Sequence, residues 1–220
     1  MCANKKVKMS AERVGVVIFD LETTGLSPEK NEITEIAALE VGSLAKFQSY
    51  AKPQNGFIST RITQLTGISD ETVAEAGSPP ETVARFFDWV DRLPYQHVTL
   101  VGHNALGFDI KFLSAAAARA TPMVPVRASA QSASKTMSVF DSYLYARTMD
   151  ARARLGIENL KQTTIYKAVH DGQDAPSAHS AVGDVVALHS ILQKTGWIDA
   201  VAGTGPTTVT SYHKPVRIEV

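Results

Sequence analysis

The 220-residue sequence holds one cysteine, Cys2, so neither a disulfide framework nor a thiolate metal site can be built within it. That usage points to a reducing compartment. No continuous apolar run reaches the roughly 18 residues that a membrane-spanning helix needs. Met1 to Ser10 carries lysines with no apolar core after them, so a secretory leader is not expected. Nor is there an excess of charge, because 22 Lys and Arg balance 22 Asp and Glu. A general attraction to polyanions is thereby excluded, and any such partner must be held by a local basic patch. Lys5, Lys6 and Lys8 either support nuclear import or simply keep a loose tail soluble. What remains is a chain with 44% hydrophobic residues, enough for one ordinary core. The expected organisation is a disordered basic tail over 1–12, one domain over 13–198 and a C-terminal tail over 199–220. A soluble intracellular protein of the nucleus or cytoplasm, with no membrane partner, is the expectation.

The stretch Val16-Val17-Ile18-Phe19-Asp20-Leu21-Glu22-Thr23-Thr24-Gly25-Leu26 is an apolar strand that delivers two carboxylates and then breaks. Side chains alternate along a strand, so Asp20 and Glu22 share a face. Two adjacent acids beyond a buried strand repel unless a cation sits between them, and a divalent metal fits that need. Taken alone, Asp-x-Glu is also compatible with a solvated strand end, so a metal reading requires acids from elsewhere in the chain.

Ile33 to Val41 and Lys46 to Ala51 read as two further strands of a meander. Ser78-Pro79-Pro80-Glu81 opens a helix, in which Val83, Phe86, Phe87 and Val90 recur at helical spacing. His97 to Gly102 is a fourth strand, followed by His103-Asn104-Ala105-Leu106-Gly107-Phe108-Asp109 and an Ala-rich helix over Ile110 to Ala120. Asp109 therefore stands at a strand-to-helix junction, as a helix cap or as a third site carboxylate. Thr121 to Ser138 lacks periodicity and reads as a surface loop. Phe140 to Met149 reads as ordered. The segment Asp150 to Gly156 reads as a basic loop whose Arg152 and Arg154 either grip phosphates or face solvent. A helix over Asn159 to Val169 comes next. Pro176-Ser177-Ala178-His179 then enters a long helix to about Lys194 that carries Asp184. Five helical residues turn about 140°, so His179 and Asp184 face one site only if His179 precedes the regular helix. From Asp199 the chain reads as a tail, docked if at all through Tyr212 and Val216.

Three distant segments thus offer Asp20 and Glu22, Asp109, and Asp184 with His179. Carboxylates and one histidine are the ligand set for two hard divalent cations, Mg2+ or Mn2+. Such a pair of ions holds a phosphodiester for hydrolysis, with His179 as the general base on the attacking water. Asp20-x-Glu22-Thr23-Thr24-Gly25, His103-Asn104-x3-Phe108-Asp109 and His179-x4-Asp184 resemble the three motifs of the DEDDh 3′→5′ exonucleases, a superfamily with an RNase H-like α/β fold. The spacing from His103 to Asp109 is closer to the three-prime repair exonucleases (TREX) than to bacterial proofreading subunits. Thr66-Gly67-Ile68-Ser69, Thr164-Ile165-Tyr166 and the run Pro176 to Val185 extend that resemblance over about residues 14–196.

The resemblance implies a central mixed five-stranded sheet flanked by helices, with metal ligands at Asp20, Glu22, Asp109 and Asp184 and the base at His179. It further implies that Thr23, Leu26, Asn104 and Phe108 contact substrate, Thr23 and Leu26 at the 3′-terminal nucleotide, and that Arg152 and Arg154 bind DNA. A homodimer joined through an edge strand is implied as well, with Lys46 to Ala51 as the candidate. The proline-rich segment of one branch is missing after Val41 and no apolar anchor follows Trp197, as in a short soluble branch. The expected function is release of nucleoside monophosphates from single-stranded or frayed DNA 3′ ends. Alternatives are an RNA or mixed-substrate exonuclease, a catalytically silent binding module, or a proofreading module active with a polymerase.

Overall fold

In a computed structural model, residues 14–120, 135–176, 179–203, 210 and 212–216 are described. The expected basic tail over 1–12 and most of the loop after Ala120 lie outside them. The sheet is built from β1 (Val14–Thr23), β2 (Ile33–Glu40), β3 (Lys46–Tyr50), β4 (His97–Gly102), β5 (Thr136–Asp141) and β6 (His213–Val216). Their spatial order is β3-β2-β1-β4-β5-β6. The first three strands form an antiparallel meander, β4 and β5 extend the sheet in parallel with β1, and β6 closes it antiparallel to β5. The helices are α1 (Thr60–Thr66), α2 (Pro79–Arg92), α3 (Asp109–Ala118), α4 (Ser142–Thr148), α5 (Ala151–Leu155), α6 (Gln162–Val169), α7 (Ala181–Thr195) and α8 (Trp197–Ala202).

The alternation within β1 divides the core in two. Val17, Phe19 and Leu21 join Phe86, Phe87 and Val90 of α2 and Phe112 and Leu113 of α3 in one buried cluster. Ile18 turns to the other face and packs with Val185, Leu188, Ile191 and Leu192 of α7. Asp20 and Glu22 share the parity of Ile18, so the α7 side of the sheet runs from apolar to acidic along a single strand. Full burial of each large apolar side chain contributes about 1.5–3 kcal/mol, so the aromatic α2 face alone is a substantial anchor. The start of α2 is closed locally and its end by a distant segment. The Ser78 N–H donates to Glu81 Oε2 at 2.7 Å, and Lys135 Nζ donates to the carbonyls of Val90, Asp91 and Leu93 at 2.8 Å each.

The structure corrects the sequence reading at three places. The sheet has six strands rather than five, because His213–Val216, read as tail, pairs with Met137–Phe140 of β5. Tyr212 ties this segment down by packing on the rings of Phe140 and Tyr145. The supposed loop through Ser138 already contains the start of β5 at Thr136, where polar residues hide the strand's alternation. His97 explains their polarity, since its ring nitrogens lie 2.8 Å from Thr136 Oγ1 and 3.0 Å from Ser138 Oγ. Finally, the basic loop is a one-turn helix, α5, ended by Gly156 at φ 64°. Among the described residues no helix is long and apolar enough to cross a membrane.

Candidate active site and metal centre

β1 pairs with β4 only as far as Ile18↔Val101, so its last residues run on past the end of its parallel neighbour. This opens a crevice at the carboxyl ends of β1 and β4, where α/β sheets commonly bind ligands. Asp20 and Glu22 line it from β1. Asp184, in the first turn of α7, reaches it from above the sheet. Oxygen atoms of Asp20, Glu22 and Asp184 all lie within 4.8 Å of one another, and the three residues are half-buried. Asp109 is the first residue of α3 and is buried. It does not cap its helix: the cap position is Phe108, which makes no side-chain cap hydrogen bond. Asp109 is outside the compact triad but is the foremost charge acting on Asp20.

The electrostatics are those of a set of anions awaiting a cation. Burial, followed by repulsion from Asp109, Asp184, Glu22 and Glu35, pushes the Asp20 carboxyl well above the usual range. Burial, then Asp184, Glu35 and Asp109, raises Glu22 to about 8. Burial, helped by repulsion from Asp141, raises Asp109 to about 7, opposed by backbone hydrogen bonds at its own amide and at Leu21. Asp184 is raised by burial and partly relieved by His179. Acids forced upward together in a crevice, with no Lys or Arg among the causes, fit a hard divalent cation that supplies the missing positive charge.

His179 stands just before α7, whose cap is Ser180, and is exposed. Its φ of 67° is in the left-handed region, and its N–H donates to Asp184 Oδ2 at 3.3 Å. The break in helical geometry removes the 140° obstacle noted above for a regular helix. Gln162 of α6 steadies the other side of Asp184, donating from Nε2 to its carbonyl at 2.8 Å and to Oδ1 at 3.3 Å.

The remaining candidates fall around this centre unequally. The Thr23 hydroxyl donates to the Gly25 carbonyl at 2.6 Å and shapes the turn, whereas Leu26 projects from it 85% exposed. Arg119 clamps that turn by donating from Nη2 to the carbonyl of Pro28 at 2.6 Å. Asn104 is exposed at φ 65°, and its side chain covers Gly107, where a Cβ would lie 2.4 Å from Asn104 Oδ1. Phe108 is half-buried with its ring centroid 4.8 Å from that of Phe112. Arg152 lines a polar cleft of about 340 Å3 with Tyr143, Arg147, Asn159 and Leu160. Arg154 is exposed on the same helix. His103 links this cleft to the crevice: one ring nitrogen lies 2.7 Å from the Leu160 carbonyl and the other 3.0 Å from Ser142 Oγ. Burial lowers its pKa, so it is neutral and structural.

Two acids escaped the sequence reading. Glu35 lies directly across from Glu22 in the β1–β2 register and is buried. Asp141, fully buried at the end of β5, accepts from the backbone N–H groups of Asn104, Leu106, Tyr143 and Leu144 at 3.0–3.2 Å. A signal existed for Asp141, a lone acid at the end of an apolar strand pattern, a placement that requires buried partners.

Comparison with known proteins agrees with this fold. Zinc-bound E. coli ExoI in complex with ssDNA superposes with a TM-score of 0.66 at 19% identity, covering 86% of this chain and 42% of that one. E. coli Exonuclease I bound to a dT13 oligonucleotide gives 0.63 at 18%, covering 86% and 43%. In sequence, the PolC-type DNA polymerase III of Bacillus cereus is 36% identical over 114 residues, half of this chain and 7% of the polymerase. That of Bacillus subtilis is 37% identical over 103 residues, 46% of this chain and again 7% of the polymerase. The chain thus spans a small fraction of these relatives' length. The profile of the exonuclease family RNase_T matches residues 17–192, from within β1 to the last turn of α7, and the chain belongs to that family.

Proposed function

We propose that the chain is a metal-dependent 3′→5′ exodeoxyribonuclease that releases nucleoside monophosphates from single-stranded or frayed DNA ends. The observation that carries this reading is the convergence of Asp20, Glu22 and Asp184 within 4.8 Å, with Asp109 adjacent and His179 at the rim. Asp20, Glu22, Asp109 and Asp184 would hold two Mg2+ or Mn2+ ions, which when bound polarise the phosphodiester and favour a nucleophilic water. The chain's own residues do the rest. His179 accepts the proton from the attacking water, its imidazole being exposed for exchange with solvent and beside the Asp184 carboxylate. Leu26 and Phe108 offer apolar surface to the terminal nucleotide, with Thr23 and Asn104 shaping the loops that carry them. Arg152 and Arg154 supply the local basic patch that a chain of zero net charge requires.

The TREX-like motif spacing supports a DNA substrate and a homodimer, for which β3 is suited as the outermost strand of the sheet. A second reading is favoured by the PolC-type relatives: the domain proofreads as part of a polymerase assembly. The test is a time course on matched 5′-labelled DNA and RNA single strands with Mg2+, with EDTA and Asp184→Ala as controls. A metal-dependent ladder shortening from the 3′ end of DNA alone is expected. Cutting of both strands would make it a general nuclease, and binding without cutting would favour the polymerase-dependent reading.

A further inference from the structure

Glu35 sits in the middle of β2 and is 2% exposed, yet both of its carboxylate oxygens are used. Gln48 Nε2, from the outer strand β3, donates to Oε1 at 2.7 Å. The backbone N–H of Ala181 donates to Oε2 at 3.3 Å. Ala181 is the first residue of α7, so its amide is one of the helix-start donors that have no partner within the helix. The Ser180 hydroxyl is spent on Gly183 N, and the Ser180 carbonyl accepts from Asp184 N. The buried amide of Ala181 therefore takes its acceptor from across the sheet.

We propose that Glu35 is a positioning residue that fixes the entry of α7, and with it His179 and Asp184, by bridging the Gln48 side chain to the Ala181 amide. The importance of that entry for turnover rests on the function proposed above. Two anchors then flank Ser180: the Asp184 carboxylate holds the amide of His179, and Glu35 holds the amide of Ala181. Together they maintain a left-handed His179 backbone that a non-glycine residue adopts only when its surroundings impose it. A glutamine at that position keeps an oxygen for the Ala181 amide and can turn its NH2 group to the oxygen of a flipped Gln48 amide, whereas an apolar side chain of similar size offers neither donor an acceptor. Glu35 also stands apart from the compact Asp20, Glu22 and Asp184 triad, and its hydrogen bonds to neutral donors leave it as a support rather than a ligand.

The polarity of the bridge provides the experiment. E35M removes both hydrogen bonds at similar side-chain size, whereas E35Q loses the same charge but keeps an acceptor for the Ala181 amide. Turnover of a 5′-labelled DNA strand with Mg2+, Mn2+ binding, and hydrogen exchange at the Ala181 amide are measured on the full chain. Relative to E35Q, E35M is expected to lower kcat about tenfold to a hundredfold, the scale on which a misplaced reacting group acts, with KM and Mn2+ affinity alike in the two. Ala181 exchange should accelerate in E35M and stay near the wild-type rate in E35Q. Unchanged Ala181 exchange in E35M overturns the proposal. So does equal kcat in the two variants, or a Mn2+ affinity that falls in step with rate between them. If E35M does not fold, Q48A, altered only at an exposed side chain, should still speed Ala181 exchange, and failure to do so contradicts the bridge. The exchange readout needs no turnover, so an inactive wild type would defeat the proposed activity without deciding the fate of the bridge.

Discussion

Two groups of buried carboxylates in this molecule are solvated in opposite ways. Asp141 is enclosed by four backbone N–H donors that stitch the loop after β4 to the start of α4. Asp20, Glu22, Asp109 and Asp184 lie close together, and burial, joined at Asp20 and Glu22 by repulsion from the neighbouring acids, raises their proton affinities. Burial alone therefore does not mark a catalytic acid. What separates the two groups is whether the protein itself supplies the compensating positive charge. Asp141 is complete as folded, whereas the β1–α7 cluster, on the function proposed above, is completed by a cation, at a cost in stability that functional sites commonly bear.

The sharpest way to break this comparison is to remove one acid from each group. Asp184→Ala should abolish turnover on labelled single-stranded DNA while leaving the metal-free protein as stable as wild type or more so, as read by thermal unfolding in EDTA. His179→Ala should retain Mn2+ binding and lose roughly a hundredfold in kcat, the scale of a positioned general base. Full rate near neutral pH would remove that role from His179.

Asp141→Asn should act on stability instead. It leaves at least one buried N–H without an acceptor, a loss on the order of 3 kcal/mol in denaturant titrations. Activity of the remaining folded fraction should be affected less than by Asp184→Ala.

The pH response follows from the raised acids. A carboxyl whose pKa is higher folded than unfolded binds extra protons in the native state, so the metal-free protein should lose stability as pH rises. Glu22, moving from 4.5 to about 8, sets that window. Saturating Mg2+ or Mn2+ should flatten the slope, and a metal-free melting temperature that climbed with pH from 5 to about 8 would contradict the electrostatics. The smallest effect is expected from Arg152→Ala with Arg154→Ala, which should weaken DNA binding and lower the salt slope by about one to two.

Much of this was legible in the sequence. The Asp-x-Glu pair on an apolar strand, the Asp109 junction and the need for His179 to precede its helix all follow from strand and helix periodicity, and the structure has each in that geometry. Glu35 was hidden because an acid in the run Ile33 to Val41 looks like ordinary alternation until the β1–β2 register sets it opposite Glu22. β6 was hidden because a four-residue strand containing Pro215 carries almost no local pattern and exists through pairing with β5 and the packing of Tyr212. Polar Thr136 and Ser138 concealed the start of β5 for a related reason, since their partner His97 is distant in sequence. Local chemistry was readable wherever one segment contained it, and unreadable wherever two segments had to meet.

The most direct test is a Mn2+ titration of the metal-free protein at pH 7.5, wild type against Asp184→Ala, with proton release followed in parallel. Wild type should bind the ion and release protons from the raised carboxyls, and the variant should do both markedly less. Equal binding by the two proteins, or binding with no proton release, would contradict a cluster that is held incomplete until a cation enters it.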